Sequence, residues 1–205
     1  MPSPEPTPRT EAALSATDRR LLDLAYASVA HAARTGRPLP VSLEREPAAL
    51  RELGASFVTL RHGRDLRGCT GMVQAIRPLA VDVAENAAAA ALRDPRFPAL
   101  RPEELPGLSV SVSVLSPMEP FPVASEAELL AKVRPGVDGL MLTEGPRRGL
   151  FLPAVWEEVP DPATFLAHLR RKAGLPAGWW SPSLQVHRFT VRKIAGPPPA
   201  GWPAP

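Results

Sequence analysis

Proline constrains this chain more than any other residue type: it fills 27 of 205 positions, and 14 glycines join it as breakers of regular structure. Proline fixes φ and lacks an amide hydrogen, so it is excluded from helix interiors and central strands. Regular elements are therefore expected to be interrupted by punctuated loops. Four prolines fall in the first ten residues and five in the last ten, alternating with small residues. Residues 1–14 and 196–205 are accordingly expected to be mobile, Pro-rich tails around one folded region, residues 15–195. A hydrophobic fraction of 44% with 22% charged residues is ordinary globular usage, which argues against collagen or wholesale disorder. The length suits one compact domain or two small lobes, with a core that needs no staples.

Charge and cysteine usage narrow the function classes. The 24 cations nearly balance the 21 anions, and they alternate along the chain apart from Arg147-Arg148 and Arg170-Arg171-Lys172. With only 5% aromatic residues there is no basic stripe with interleaved stacking platforms, which argues against nucleic acid as a partner. A single cysteine, Cys69, excludes an internal disulfide and any multi-cysteine metal cluster. No apolar run is long enough to cross a bilayer, and the first residues have neither the basic start nor the apolar stretch of a secretory signal. A cytoplasmic protein that does not engage membranes is expected.

Periodicity places the elements. Ser15 and Asp18 cap a helix whose Leu21, Leu22, Ala25, Val29 and Ala32 share one face until Gly36 ends it. A short helical turn follows Pro47. Residues 55–60 and 66–74 read as a hairpin around His62-Gly63-Arg64-Asp65. Pro78 can occupy the first position of an alanine-rich helix that stops at Asp94-Pro95. In residues 108–115, Leu108, Val110, Val112 and Val114 alternate with serines, the pattern of a half-buried strand. Ser125 and Glu128 form a second capping box. Residues 139–143 and 149–152 read as another hairpin, and Asp161 with Pro162 starts a helix that Gly174 ends. A last strand covers 184–191. Hairpins separated by helices predict an α+β fold with mainly antiparallel sheets, and the repeated hairpin-then-helix order hints at an internal duplication.

Standard phosphate-loop, dinucleotide, zinc-protease and serine-hydrolase motifs are absent. His31, His62, His168 and His187 lie on separate elements, so neither a metal site nor a cofactor is expected. What remains is Leu66-Arg67-Gly68-Cys69-Thr70-Gly71. On a regular strand Arg67 and Cys69 share a face, so the guanidinium could favour the thiolate, while Gly68 and Gly71 leave room for a ligand or for another backbone. The competing reading is a small buried cysteine in a strand with a glycine-marked bulge.

Arg67-Gly68-Cys69, taken with Asp94-Pro95-Arg96-Phe97, Val112-Ser113-Val114-Leu115-Ser116-Pro117, Arg148-Gly149-Leu150-Phe151-Leu152-Pro153 and Arg171-Lys172-Ala173-Gly174-Leu175, resembles the AMMECR domain family. The family takes its name from the Alport, midface hypoplasia and elliptocytosis chromosomal region, and its prokaryotic members are called AmmeMemoRadiSam system protein A. The resemblance runs from about Asp18 to Val191. It implies an α+β fold of two interlocked lobes, the larger holding both chain ends. It also implies a setting: a Memo-like protein and a radical S-adenosylmethionine protein as partners. Three positions depart from the family pattern. Thr70 replaces Ile, Ala154 replaces Gln, and Arg170 stands where a Cys often does, which removes any two-cysteine chemistry.

The candidate site then comprises Cys69 as nucleophile or covalent anchor, Arg67 as its tuner, and Gly68, Gly71, Asn86, Asp94 and Arg96 as binding residues for an unknown small-molecule ligand. Each also has a structural reading. Asp before Pro is a common turn device, Arg in a capping loop often bonds helix carbonyls, and Asn86 on the alanine-rich helix faces either a cleft or solvent. Three function classes follow: a ligand-binding or cysteine-dependent catalytic component of a modification pathway, a non-catalytic adaptor for the two partners, and nucleic-acid modification or binding.

Overall fold

The structure, a computed structural model, describes residues 14–203. In chain order the helices are α1 (Ala16–Thr35), α2 (Ala48–Arg51), α3 (Leu79–Leu92), α4 (Glu126–Lys132) and α5 (Pro162–Lys172). The strands are β1 (Leu53–His62), β2 (Asp65–Gly71), β3 (Arg77–Pro78), β4 (Leu108–Leu115), β5 (Glu119–Pro120), β6 (Gly139–Glu144), β7 (Arg147–Phe151), β8 (Gln185–Phe189) and β9 (Val191–Ala195). The fold is α+β, with two antiparallel sheets. None of the described helices is long and apolar enough to cross a membrane.

The chain divides into two compact units. One holds residues 1–113 and 193–205, and the other holds 114–192. The first therefore contains both ends of the chain. Its sheet runs β2-β1-β4-β9, with β3 paired to β1 at one end. Helix α1 starts where the Ser15 hydroxyl accepts the Asp18 amide at 3.1 Å, and ends at Gly36, whose φ of 74° suits a residue without Cβ. Helix α3 covers β1 and β2. Its alanines leave no bulk between backbones, so α1 packs closely on it and Ser28 Oγ donates to the Ala84 carbonyl at 2.7 Å. Across from them, the Tyr26 hydroxyl accepts the Val110 amide of β4 at 3.1 Å.

In the second unit the sheet runs β5-β8-β6-β7, and α5 packs against β7. Phe165 of α5 stacks on Trp156 with centroids 3.6 Å apart, over a core that includes Leu140, Leu142 and Val186. The Asp161 carboxylate caps α5 by accepting the Thr164 amide at 2.8 Å. Both units repeat one order of elements: a hairpin, a helix, then a strand that pairs with the hairpin's first strand. Each hairpin carries an Arg-Gly pair in its second strand, Arg67-Gly68 and Arg148-Gly149, with the glycine lying under the following helix or its end.

Three expectations need correction. The second strand of the first hairpin runs to Gly71 rather than Gln74, with one further in-register contact, the Met72 amide on the Ser56 carbonyl at 3.1 Å, before the chain leaves the sheet. The single strand expected over 184–191 is two strands in different sheets. Ser116 takes both backbone groups of Thr190, with its amide on the Thr190 carbonyl and its hydroxyl under the Thr190 amide, each at 2.9 Å, so the ladder breaks there. The C-terminal stretch expected to be mobile is packed over its described residues. The Trp202 ring meets Tyr26 edge-on at 4.7 Å, and the Pro197 carbonyl accepts Arg19 Nη1 at 3.2 Å. An indole can bury enough apolar surface to offset the ordering of a short proline-rich turn. The remainder of both expected tails, residues 1–13 and 204–205, lies outside the described residues.

Candidate functional site

β2 is an outer strand, so some of its amides face away from β1. The Cys69 amide is one of these, and it donates to Asp94 Oδ2 at 2.8 Å. Asp94 lies just past the end of α3, in a turn closed by the Phe97 amide on the Asp94 carbonyl at 3.1 Å. Arg96 grips the same carboxylate from the other side, with Nε on Oδ1 at 2.9 Å, Nη2 on Oδ2 at 2.6 Å and its own amide on Oδ1 at 3.1 Å. Asp94 is only 5% exposed, and these donors, Arg96 foremost and the Cys69 amide among the rest, hold its carboxyl below the usual carboxylate range. The Asp-Pro-Arg turn thus caps the sheet edge at the cysteine.

Cys69 is half-buried and sits opposite Thr59 of β1, whose Oγ1 lies 3.3 Å from the sulfur. Arg96 keeps 54% of its side chain exposed, and its charge is reinforced chiefly by Asp94 and in smaller part by the Cys69 sulfur. Cys69, Asp94 and Arg96 are thus brought together by one set of hydrogen bonds.

The other candidates do not join them in the expected way. The register pairs Leu60 with Gly68 but Arg61 with Leu66, so Arg67 is the extra residue of a β-bulge and the regular two-residue alternation with Cys69 is interrupted. Its guanidinium is nine-tenths buried and committed elsewhere: Nε meets Glu104 Oε1 at 2.9 Å, and Nη2 meets Glu104 Oε2 at 3.2 Å and the Pro98 carbonyl at 3.0 Å. Arg67 in turn lowers the Glu104 carboxyl. Arg67 and Arg96 both lie near the Phe97 ring, their guanidinium carbons 5.8 and 5.5 Å from its centroid.

At Gly68 and Gly71 the side-chain position is filled by neighbouring atoms. A Cβ at Gly68 would run into the Ala90 carbonyl of α3, and one at Gly71 would meet the Phe57 ring and the Ser56 carbonyl. Of the two sequence readings, the approach of another backbone is the one realised at Gly68.

Asn86 faces neither cleft nor solvent. It is 2% exposed and belongs to a buried polar cluster three residues along β1 from Thr59, roughly 10 Å away at strand spacing. Asp82, wholly buried, accepts Ser56 Oγ at 2.6 Å, Asn86 Nδ2 at 2.9 Å and Arg77 Nε at 2.9 Å. Asn86 also donates to the Ser56 carbonyl at 3.0 Å and accepts Arg77 Nη2 at 3.3 Å. The cluster ties β1, β3 and α3 together, and burial pushes the Asp82 carboxyl upward. Asp82 was legible as an acid one helical turn before Asn86 on the same alanine-rich face. Thr59 follows from hairpin register once the bulge is known, whereas nothing local marks Glu104. Among the described residues no three His, Cys, Asp or Glu side chains gather as metal ligands would.

Chemically, the Cys69 site offers a partly accessible thiol, a neighbouring hydroxyl and an arginine whose outer surface can meet an anionic group.

Comparison with known proteins agrees with this architecture. The chain is 37% identical over 188 residues to a protein of Methanopyrus kandleri, covering 88% of this chain and 89% of that one. It is 43% identical over 148 residues to a protein of Methanothermobacter thermautotrophicus, covering 71% and 77%. The crystal structure of an uncharacterized protein from Pyrococcus horikoshii superposes with a TM-score of 0.75 at 34% identity, covering 86% of this chain and 90% of that one. The sequence profile of the AMMECR1 family matches residues 22–194, a span that takes in the Arg-Gly-Cys strand, the Asp-Pro-Arg turn and both sheets, and the chain belongs to that family.

Proposed function

We propose that this domain is the ligand-binding or cysteine-dependent catalytic component of a modification pathway, working with the Memo-like and radical S-adenosylmethionine proteins that its family resemblance implies. The setting of Cys69 carries this reading. A half-buried thiol stands on a strand edge whose amide is held by Asp94, and Asp94 is itself clamped by Arg96. A nucleophile or covalent anchor needs a fixed backbone, which the Asp94 clamp on the Cys69 amide supplies. The half-exposed Arg96 could receive a carboxylate or phosphate of the ligand.

A second reading, a non-catalytic adaptor for the same partners, draws on a different observation. Gly68 and Arg67, the residues beside the thiol, are both consumed by packing and by the Glu104 ion pair. On that reading the Arg-Gly-Cys strand is a rigid fold element.

Cys69→Ser separates the two, because it keeps size and strand geometry while replacing a ready thiolate by a hydroxyl. In a strain lacking the gene, a Cys69→Ser copy present at normal level and with an unchanged thermal melt should behave as the deletion if the thiol does chemistry. Full complementation would refute the catalytic reading and leave the adaptor.

A further inference from the structure

Within the unit that holds both chain ends, the C-terminal turn builds a groove that the Cys69 site does not explain. A cavity of about 540 Å³ lies between Tyr26, Ser109, Pro197, Pro199, Trp202 and Pro203. Its walls are aromatic and proline rings. One buried donor in it is unspent. Trp202 Nε1 is buried without a hydrogen-bond partner. Tyr26, wholly buried, uses its hydroxyl oxygen to accept the Val110 amide and contributes its ring to the wall. Ser109, by contrast, already donates to the Arg61 carbonyl at 3.2 Å. An occupant matching this groove brings apolar rings and acceptors and needs few acceptors in return, which describes a proline-rich backbone: each proline supplies a ring and a carbonyl and has no amide hydrogen. Aromatic-lined grooves with an indole donor suit such segments.

This chain carries such a segment in reach. Residues 1–10 place proline at every second position from Pro2 to Pro8. The described chain starts at Leu14, whose side chain lies against Gly196, and Gly196 is part of the groove's own lining. From Leu14 back to Pro8, six residues at the polyproline rise give a reach of about 19 Å. We propose that the groove between Tyr26 and Trp202 is the docking site of the chain's own segment Pro2–Pro8, with the Trp202 indole donating to one of its carbonyls. The tether makes docking an intramolecular event at an effective concentration of order mM, so a segment that binds as a free peptide only near that concentration still occupies the groove.

The test uses full-length protein carrying 5-fluorotryptophan, in which ¹⁹F spectra report each of the four Trp residues separately and Trp202→Phe identifies its resonance. Deleting residues 1–10 should shift the Trp202 resonance and leave Trp156, Trp179 and Trp180 in place. Replacing Pro2, Pro4, Pro6 and Pro8 together by Ala should reproduce the shift. A synthetic peptide of residues 1–12, added to the truncated protein at roughly mM concentration, should reverse it. A Trp202 resonance indifferent to the deletion overturns the proposal. So does a difference that vanishes on dilution, which would assign the segment to a neighbouring copy, or a peptide that leaves the truncated protein unchanged.

Discussion

Gly68→Ala probes the central claim that the glycines of the Arg-Gly-Cys strand serve packing. The new methyl group would point at the Ala90 carbonyl of α3, a backbone atom that no rotamer change can move aside. Ordinary van der Waals separation of about 3.5 Å would require the helix and strand to part by on the order of 1 Å. That displacement falls where the alanine face of α3 lies closest to β1 and β2, so neighbouring contacts loosen with it. Overpacking of this kind costs about 1–3 kcal/mol, and the backbone freedom that Ala removes from the unfolded chain returns less than 1 kcal/mol. A net loss of about 1–2 kcal/mol in a chain of this length lowers the melting temperature by roughly 2–8 °C. Differential scanning calorimetry of wild type, Gly68→Ala and Cys69→Ala measures it, with Cys69→Ala as a neighbouring change that adds no atom against α3. If Gly68→Ala melts with wild type, helix and strand have slack that the geometry denies, and the glycine must be explained by a ligand after all.

The remaining predictions concern the same corner of the molecule. Asp94→Asn should lower stability by about 1–3 kcal/mol at neutral pH, since a buried carboxylate accepting the Cys69 amide and the Arg96 guanidinium is replaced by a group that can satisfy only part of them. Because the folded state holds the Asp94 carboxyl below its unfolded value, its contribution is present above about pH 4 and fades as pH falls toward the folded value, so the stability gap between wild type and Asp94→Asn should narrow on acidification in chemical denaturation series. Arg96→Ala should slow alkylation of Cys69 by iodoacetamide several-fold, whereas Arg67→Lys should act mainly through stability, because Arg67 is spent on Glu104. The reverse order of rates would restore Arg67 as the cation that tunes the thiol.

Local chemistry determined much of this protein. Ser15 and Asp161 hydroxyl and carboxylate caps, the left-handed Gly36, and the alternation of valine with serine in β4 each act within a few residues, so the elements they start, stop or bury could be read directly. The family motifs likewise marked Cys69, Asp94 and Arg96. Only the tertiary structure decided what those residues and their neighbours touch. Whether Arg67 faces the thiol depends on one unpaired residue in the β1–β2 register, and its partner Glu104 lies 37 positions away. Whether Gly68 opens a site or admits a helix depends on how closely the alanine face of α3 settles, and whether Asn86 meets solvent depends on Asp82, Ser56 and Arg77 closing over it. The division of the last strand between two sheets follows from a serine and a threonine 74 residues apart. Caps and periodicity are short-range and leave their mark in the order of residues; bulges, close backbone approaches and buried polar clusters are settled by groups distant in sequence, where steric fit and the cost of an unpaired buried dipole choose among arrangements that local pattern leaves equal.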